Sequence, residues 1–260
     1  MTKKINTIYR ITDWLHYLGF ALMGFVLKVS HIDIINLKLL FFALVFSFLL
    51  LSYAYSLNDY FDEGKKKKYF LLPLIFSVAL LPFLNFSQIL LGAIFLALVT
   101  LYSFRGISLM KFPVVSTLTN SAGFMLIFAI GYATEEGVTI LDLVFFFLLA
   151  IYQTVSQLIH ERVHLKSDIE SGRRTSVFYL REKLVLLLRM MLLFTFPLSL
   201  FLLFKTDFIL FAVACMLFSL FFFIKVGEID KKTRKRYKLA GIVVGLFFLA
   251  DYFFNVSSVL

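Results

Sequence analysis

Two short stretches of an otherwise apolar chain carry residues that could do chemistry. In "SYAYSLNDYFDEG", Asn58, Asp59, Asp62 and Glu63 close a hydrophobic run. Asn58 and Asp62 stand four residues apart, so a helix presents both on one face. In "QLIHERVHLKSDIESGRRT", Glu161, His164 and Asp168 follow at spacings of three and four, which again aligns them along one face. Ionisable groups at membrane depth cost on the order of 2.5–3.5 kcal/mol each, and where they occur they face water-filled cavities. Each cluster alone also reads as the wet end of a helix paired with nearby lysines. Two clusters with oxygen-bearing side chains at helical spacing favour a site. Clustered carboxylate and carboxamide oxygens suit a hard cation such as Mg²⁺, which keeps some waters and is often shared with substrate phosphates. Arg105, Lys111, Arg173 and Arg174 lie in the neighbouring segments and suit phosphate oxygens.

The elements that must position these residues are set by composition. Of 260 residues, 61% are hydrophobic, 16% are charged and 34 are phenylalanine, with a mean hydropathy of +0.91. A soluble domain is nearer half apolar and a quarter charged, so the bulk of this chain belongs in lipid. Apolar runs that approach the length of a membrane span, about 17–25 residues, fall at Trp14–Val29, Leu37–Leu57, Tyr69–Phe83, Ser87–Phe104, Pro113–Ala133, Ile140–His160, Leu184–Leu203, Phe208–Ile224 and Leu239–Phe254. The third and fourth are separated only by "PFLNFSQ" and read as two helices with a tight turn. The basic N-terminus precedes an uncleaved first helix, since no small-x-small cleavage site stands before Lys28. The expectation is one polytopic all-α domain over 1–260, of about nine transmembrane helices. With the N-terminus in the cytoplasm, nearly all Lys and Arg fall on that side and only Lys28, Lys38 and Lys205 on the other. The positive-inside rule then puts both acidic clusters at the cytoplasmic face and the C-terminus outside.

The net charge of +10 is therefore a matter of topology. A nucleic-acid partner is excluded, because the basic residues flank membrane spans instead of lining a soluble groove. The partners expected are the bilayer and lipophilic small molecules. Lys65–Lys68 reads as a topology flank and Lys231–Lys238 as a loop facing anionic lipid. Asn120, Gly123 and Gly131 serve helix packing on this reading. The lone Cys215 permits no internal disulfide.

A metal, a diphosphate cradle and an apolar bundle together describe an enzyme acting on a prenyl diphosphate, and at this point the motifs resemble a known family. "NDYFDEG" is similar to the first half of the "NDxxDxxxD" motif of UbiA-type intramembrane prenyltransferases. "HLKSDIESGRRT" resembles their second motif, with Asp168, Gly172 and Thr175 in register. "YSFRGISLMKFP" resembles the intervening loop through Tyr102, Ser103, Lys111 and Pro113. The resemblance implies a U-shaped bundle around a central cavity, with Mg²⁺ held by Asn58, Asp62, Glu161, His164 and Asp168. It implies a diphosphate contacted by the loop residues Lys111, Tyr102 and Arg105, with Asp62 and Asp168 the principal catalytic carboxylates. Arg173 and Arg174, by their chemistry, and Asp59, beside the first motif's ligands, complete the expected substrate-binding set. The implied reaction moves a prenyl group from a prenyl diphosphate to a hydrophobic or aromatic acceptor. Alternatives are a terpene cyclase of the same family, in which the substrate's own double bond captures the cation, and a lipid-binding or transport relative without chemistry. Two departures from the pattern stand out. The last Asp of the first motif falls at Lys66, and the first Asp of the second falls at His164.

Overall fold

Where each helix begins and ends is written largely in its capping residues. The computed structural model describes residues 9–29, 33–104, 106, 108–134, 137–170, 172 and 174–257, with no side-chain description for 63, 256 and 257. All regular structure among them is helical: α1 (Ile11–Trp14), a 3₁₀ turn (Leu15–Tyr17), α2 (Leu18–Lys28), α3 (Ile34–Glu63), α4 (Lys68–Ala79), α5 (Phe86–Ser103), α6 (Pro113–Tyr132), α7 (Ile140–Glu170), α8 (Ser176–Leu180), α9 (Lys183–Lys205), α10 (Ile209–Lys225) and α11 (Lys231–Ser257). Asp33 starts α3 by accepting the Asn36 N–H at 2.7 Å. Gly64 ends it, because φ of +68° suits a residue without a Cβ. The "PFLNFSQ" break is held by a reciprocal cap in which Asn85 accepts the Gln88 N–H and Gln88 accepts the Asn85 N–H.

Six helices, α3, α5, α6, α7, α9 and α11, are long and apolar enough to cross a membrane among the described residues. The runs expected as spans at Trp14–Val29, Tyr69–Phe83 and Phe208–Ile224 appear as shorter helices. Nine crossings therefore do not follow from helix length. Large side chains such as Phe86 and Phe204 are exposed along these helices, as expected of a surface that meets lipid. The two acidic stretches lie inside helices: α3 runs through Glu63 and α7 through Glu170, well past their apolar parts.

The residues form two compact units. The first comprises Met1–Met110 with Gly123–Glu136. Its core gathers Trp14, Tyr17, Phe46, Leu50, Phe95 and Ile127. Glycines let α2 and the second half of α6 approach backbone to backbone, since a Cβ at Gly24 would run into the Phe128 carbonyl and one at Gly131 into that of Ala21. The second unit comprises Lys111–Ala122 with Gly137–Leu260. Phe145, Phe211 and Phe248 form its aromatic core. A buried polar chain ties its helices together. The Tyr152 hydroxyl donates to the Cys215 carbonyl at 2.9 Å and meets Ser219 Oγ at 2.8 Å, and Tyr237 donates to the Tyr152 carbonyl at 2.9 Å. Asp251 is buried and accepts the Leu210 and Phe211 N–H groups, capping α10 from α11.

Candidate functional site

The end of α3 sorts its acidic residues by face. Asn58 and Asp62 lie one turn apart, and Asn58 Nδ2 donates to Asp62 Oδ2 at 3.1 Å. Asp62 is exposed. Asn58 Oδ1 is buried and has no hydrogen-bond partner, an unusual condition for a carboxamide oxygen. Asp59, about 100° round the helix from Asn58, points elsewhere and is only 1% exposed. Lys65 Nζ donates to its Oδ2 at 2.5 Å and Arg10 Nη1 approaches its Oδ1 at 3.4 Å. The left-handed turn at Gly64 folds the chain back so that Lys65 can reach. Arg10 also bonds Asp13 at 2.9 Å and lies over the Tyr55 ring. Burial would lower the Arg10 pKa, but the Asp13 and Asp59 carboxylates outweigh it and the net direction is upward. Asp59 thus anchors the helix end to two cations, on a different face from the hydrogen-bonded Asn58–Asp62 pair.

The end of α7 divides in the same manner. Glu161 is buried, and its Oε1 accepts from Thr117 Oγ1 at 2.6 Å and from Gln157 Nε2 at 3.3 Å. Thr117 also meets Ser176 Oγ at 2.6 Å, joining α6, α7 and α8. Glu161 Oε2 is buried without a hydrogen bond of ordinary geometry, although the Val177 N–H acts on the carboxylate electrostatically. His164 turns to α11 instead, with Nε2 at 3.0 Å from Arg234 Nη1 and its ring 4.7 Å from that of His160. Arg234 can only donate, so His164 accepts through Nε2 and carries its proton on Nδ1. Asp168, half-buried, follows one turn later. The helical alignment of Glu161, His164 and Asp168 is therefore real at the backbone, yet their side chains are held by different neighbours. Among the described residues no three His, Cys, Asp or Glu side chains converge closely enough to hold a metal.

The remaining residues singled out in the sequence are placed as follows. Tyr102 is half-buried near the end of α5, and its carbonyl accepts from Ser108 Oγ at 3.2 Å. Lys111 is exposed in the 3₁₀ turn Leu109–Lys111. Arg174 is exposed with its guanidinium 5.5 Å from the Phe178 ring centroid. Arg105 and Arg173 lie outside the described residues. Gly172, in the second motif, takes φ of +78°, which accounts for a glycine there. Sequence reasoning missed Thr117, Ser176, Arg10 and Arg234 as partners. Gln157 was legible, since it stands one turn before Glu161.

These oxygens fit Mg²⁺. Asn58 Oδ1 is buried, hard and without a hydrogen bond, Glu161 Oε2 is buried with only the Val177 N–H acting on its carboxylate, and an exposed carboxylate adjoins the first of them. Mg²⁺ needs only one or two carboxylates and completes its shell with water and phosphate oxygens.

Comparison with known proteins agrees in fold. The family model of the UbiA prenyltransferase family matches residues 65–250. A solved structure of a UbiA homolog from Archaeoglobus fulgidus bound to GPP and Mg²⁺ is 14% identical, with a TM-score of 0.78 over 98% of this chain and 99% of that one. The same values hold for the UbiA homolog from Archaeoglobus fulgidus bound to DMAPP and Mg²⁺. A structure from work on digeranylgeranylglyceryl phosphate synthase in membranes is 16% identical, with a TM-score of 0.72 over 98% of this chain and 99% of that one. At such identities the likeness is one of fold. Among curated proteins none matches this chain.

Proposed function

The chain belongs to the UbiA prenyltransferase family, and from that premise we propose that it moves a prenyl group from a prenyl diphosphate to a hydrophobic or aromatic acceptor, releasing diphosphate. The observation that carries the reading is the Asn58–Asp62 pair: a buried, unpartnered carboxamide oxygen beside an exposed carboxylate at the end of a membrane helix. A buried oxygen left in this state at the end of a membrane helix calls for a cation or a polar ligand. The solved UbiA homologs bound to GPP or DMAPP with Mg²⁺ support the substrate class.

Asn58 and Asp62 would hold one Mg²⁺ and Asp168, with Glu161, a second. When bound, the metal neutralises charge that develops on the departing diphosphate. The chain's own residues do the rest. Thr117 and Gln157 fix the Glu161 carboxylate, and the Lys65–Asp59–Arg10 cluster fixes the end of α3 on which Asn58 and Asp62 stand. Lys111 and Arg174 offer N–H donors to phosphate oxygens. The allylic C–O bond breaks with its electron pair leaving on diphosphate, the acceptor's nucleophilic atom bonds to the allylic carbon, and the acceptor gives up a proton. Aromatic side chains, abundant in this chain, are suited to stabilise the passing cation. The His164 imidazole stays neutral while it accepts from Arg234 and takes no part in metal binding on this reading.

The test is release of diphosphate from labelled geranyl diphosphate by purified protein, with and without Mg²⁺ and with a panel of lipophilic acceptors. Asp62→Ala and Asp168→Ala should each lower release by a factor of about 100 or more, since loss of a carboxylate that would hold the metal removes several kcal/mol of leaving-group stabilisation. Both variants should remain folded. Near-normal turnover of either at saturating Mg²⁺ would overturn the metal assignment.

A further inference from the structure

A cavity of about 400 Å³ lies in the second unit, where α7, α8 and α9 meet the turn between α10 and α11. Such a volume suits a small ligand. Its lining combines the charged Arg162, Arg181 and Glu182 with the apolar Leu165, Ile169 and Val226. Arg162, Leu165 and Ile169 lie on a face of α7 next to the one bearing Glu161, His164 and Asp168, so the cavity is not the acidic cluster. Neither arginine is in a salt bridge among the described residues. The Arg181 guanidinium lies 5.8 Å from the ring centroid of Phe178, which also lines the cavity.

Arg181 holds an uncommon backbone conformation, φ 44° and ψ −117°, at the junction of α8 and α9. A residue with a Cβ is strained there, and glycine would be at ease. The position therefore keeps a long cationic side chain on the cavity lining in spite of its local cost.

We propose that this cavity binds a phosphate group carried on a hydrocarbon chain, with the phosphate at Arg162 and Arg181 and the chain along Leu165, Ile169 and Val226. Planar guanidinium forks match phosphate oxygens. Two arginines and one carboxylate leave a single net positive charge, which matches a singly charged phosphodiester better than a diphosphate. The cavity stands just beyond the apolar part of α7, Ile140–His160, at the depth where lipid headgroups meet water. The ligand class is accordingly that of a glycerophospholipid. The inference goes beyond prenyl transfer and does not depend on it.

The experiment uses the full chain in a neutral detergent, titrated with dihexanoyl phosphatidylglycerol, with bound lipid counted by native mass spectrometry. One lipid should bind saturably. Arg181→Gly removes the guanidinium and relieves the backbone strain, so it should fold at least as well and weaken binding by about tenfold. Leu165→Trp adds bulk to the apolar lining with both charges intact and should weaken binding as well. Inorganic phosphate should not displace the lipid. Competition by geranyl monophosphate tells the sources apart: displacement at lower concentration than by phosphatidylglycerol would assign the site to an isoprenoid phosphate, and weaker displacement to a membrane phospholipid. Asp62→Ala should bind phosphatidylglycerol as the wild type does, which separates this site from the prenyl diphosphate site. Wild-type binding in Arg181→Gly, or displacement by inorganic phosphate at concentrations similar to the lipid's, would overturn the proposal.

Discussion

Lys65 folds back across Gly64 to donate to Asp59 at 2.5 Å, so the first lysine of the basic run is an internal partner of the acidic motif that precedes it. Asp59 is only 1% exposed and takes Arg10 as a second cation, while Asn58 and Asp62, on a different face of the same helix, bond to each other at 3.1 Å. One short motif therefore holds an anchor and the proposed ligand pair side by side.

The anchor should be separable from the ligands by stability. Asp59→Ala removes the buried carboxylate that joins Lys65 to the exposed Arg10, and with both cations open to water is expected to cost about 0.5–1.5 kcal/mol. Asp62→Ala, at an exposed position, should leave stability nearly unchanged. Thermal unfolding of both variants in detergent checks this. Equal melting temperatures for Asp59→Ala and the wild type would show that the cluster contributes nothing to holding the helix end.

Glu161 depends on a hydroxyl from another helix. Thr117→Val removes the donor at 2.6 Å and leaves a buried carboxylate oxygen short of a partner, at a cost of about 1–3 kcal/mol. Thr117→Ser should restore both stability and diphosphate release. Glu161→Gln keeps an oxygen for Thr117 and should fold normally, so a fall in its turnover would report on the lost charge alone. If Thr117→Val matches the wild type in unfolding and turnover, the contact is incidental.

His164 stands where the family pattern has a carboxylate, and Arg234 occupies its Nε2. His164→Asp alone should form an ion pair with Arg234, retain activity and leave the Mg²⁺ dependence of diphosphate release unchanged. The double variant with Arg234→Gln frees that carboxylate, so its half-saturating Mg²⁺ should fall several-fold, as expected of a hard oxygen ligand. A double variant with the wild-type Mg²⁺ curve would place residue 164 away from the metal.

Charge asymmetry gives the topology prediction. The segments at Asp62, Asp168 and Lys231–Lys238 should be labelled from the cytoplasmic side, and a tag after the C-terminus from the other side. Single-cysteine variants built on a Cys215→Ala background would show it. A C-terminal tag reachable only from the cytoplasm would require an even number of crossings and reverse the assignment.

What the sequence determined by itself follows from short-range physics. Composition sets the solvent: a chain with 61% hydrophobic residues and charges confined to a few segments dissolves in lipid, where unsatisfied backbone groups force helices. Helical periodicity puts Asn58 over Asp62, and "NFSQ" encodes the reciprocal cap that separates α4 from α5. Each of those two pairings lies within five consecutive residues, so local sequence is enough to read them. The tertiary structure decided the partners. Asp59 meets Arg10 across 49 positions, Glu161 meets Thr117 across 44, and His164 meets Arg234 across 70. Nothing in residue type or spacing selects those pairs. They depend on which helix faces pack together, and that is settled by apolar side chains and small residues far from the polar groups, such as the close approach at Gly24 and Gly131. Polar residues at helical spacing thus become an anchor at Asp59, a hydrogen-bonded pair at Asn58 and Asp62, and a neutral acceptor at His164, because each side chain meets a different neighbour.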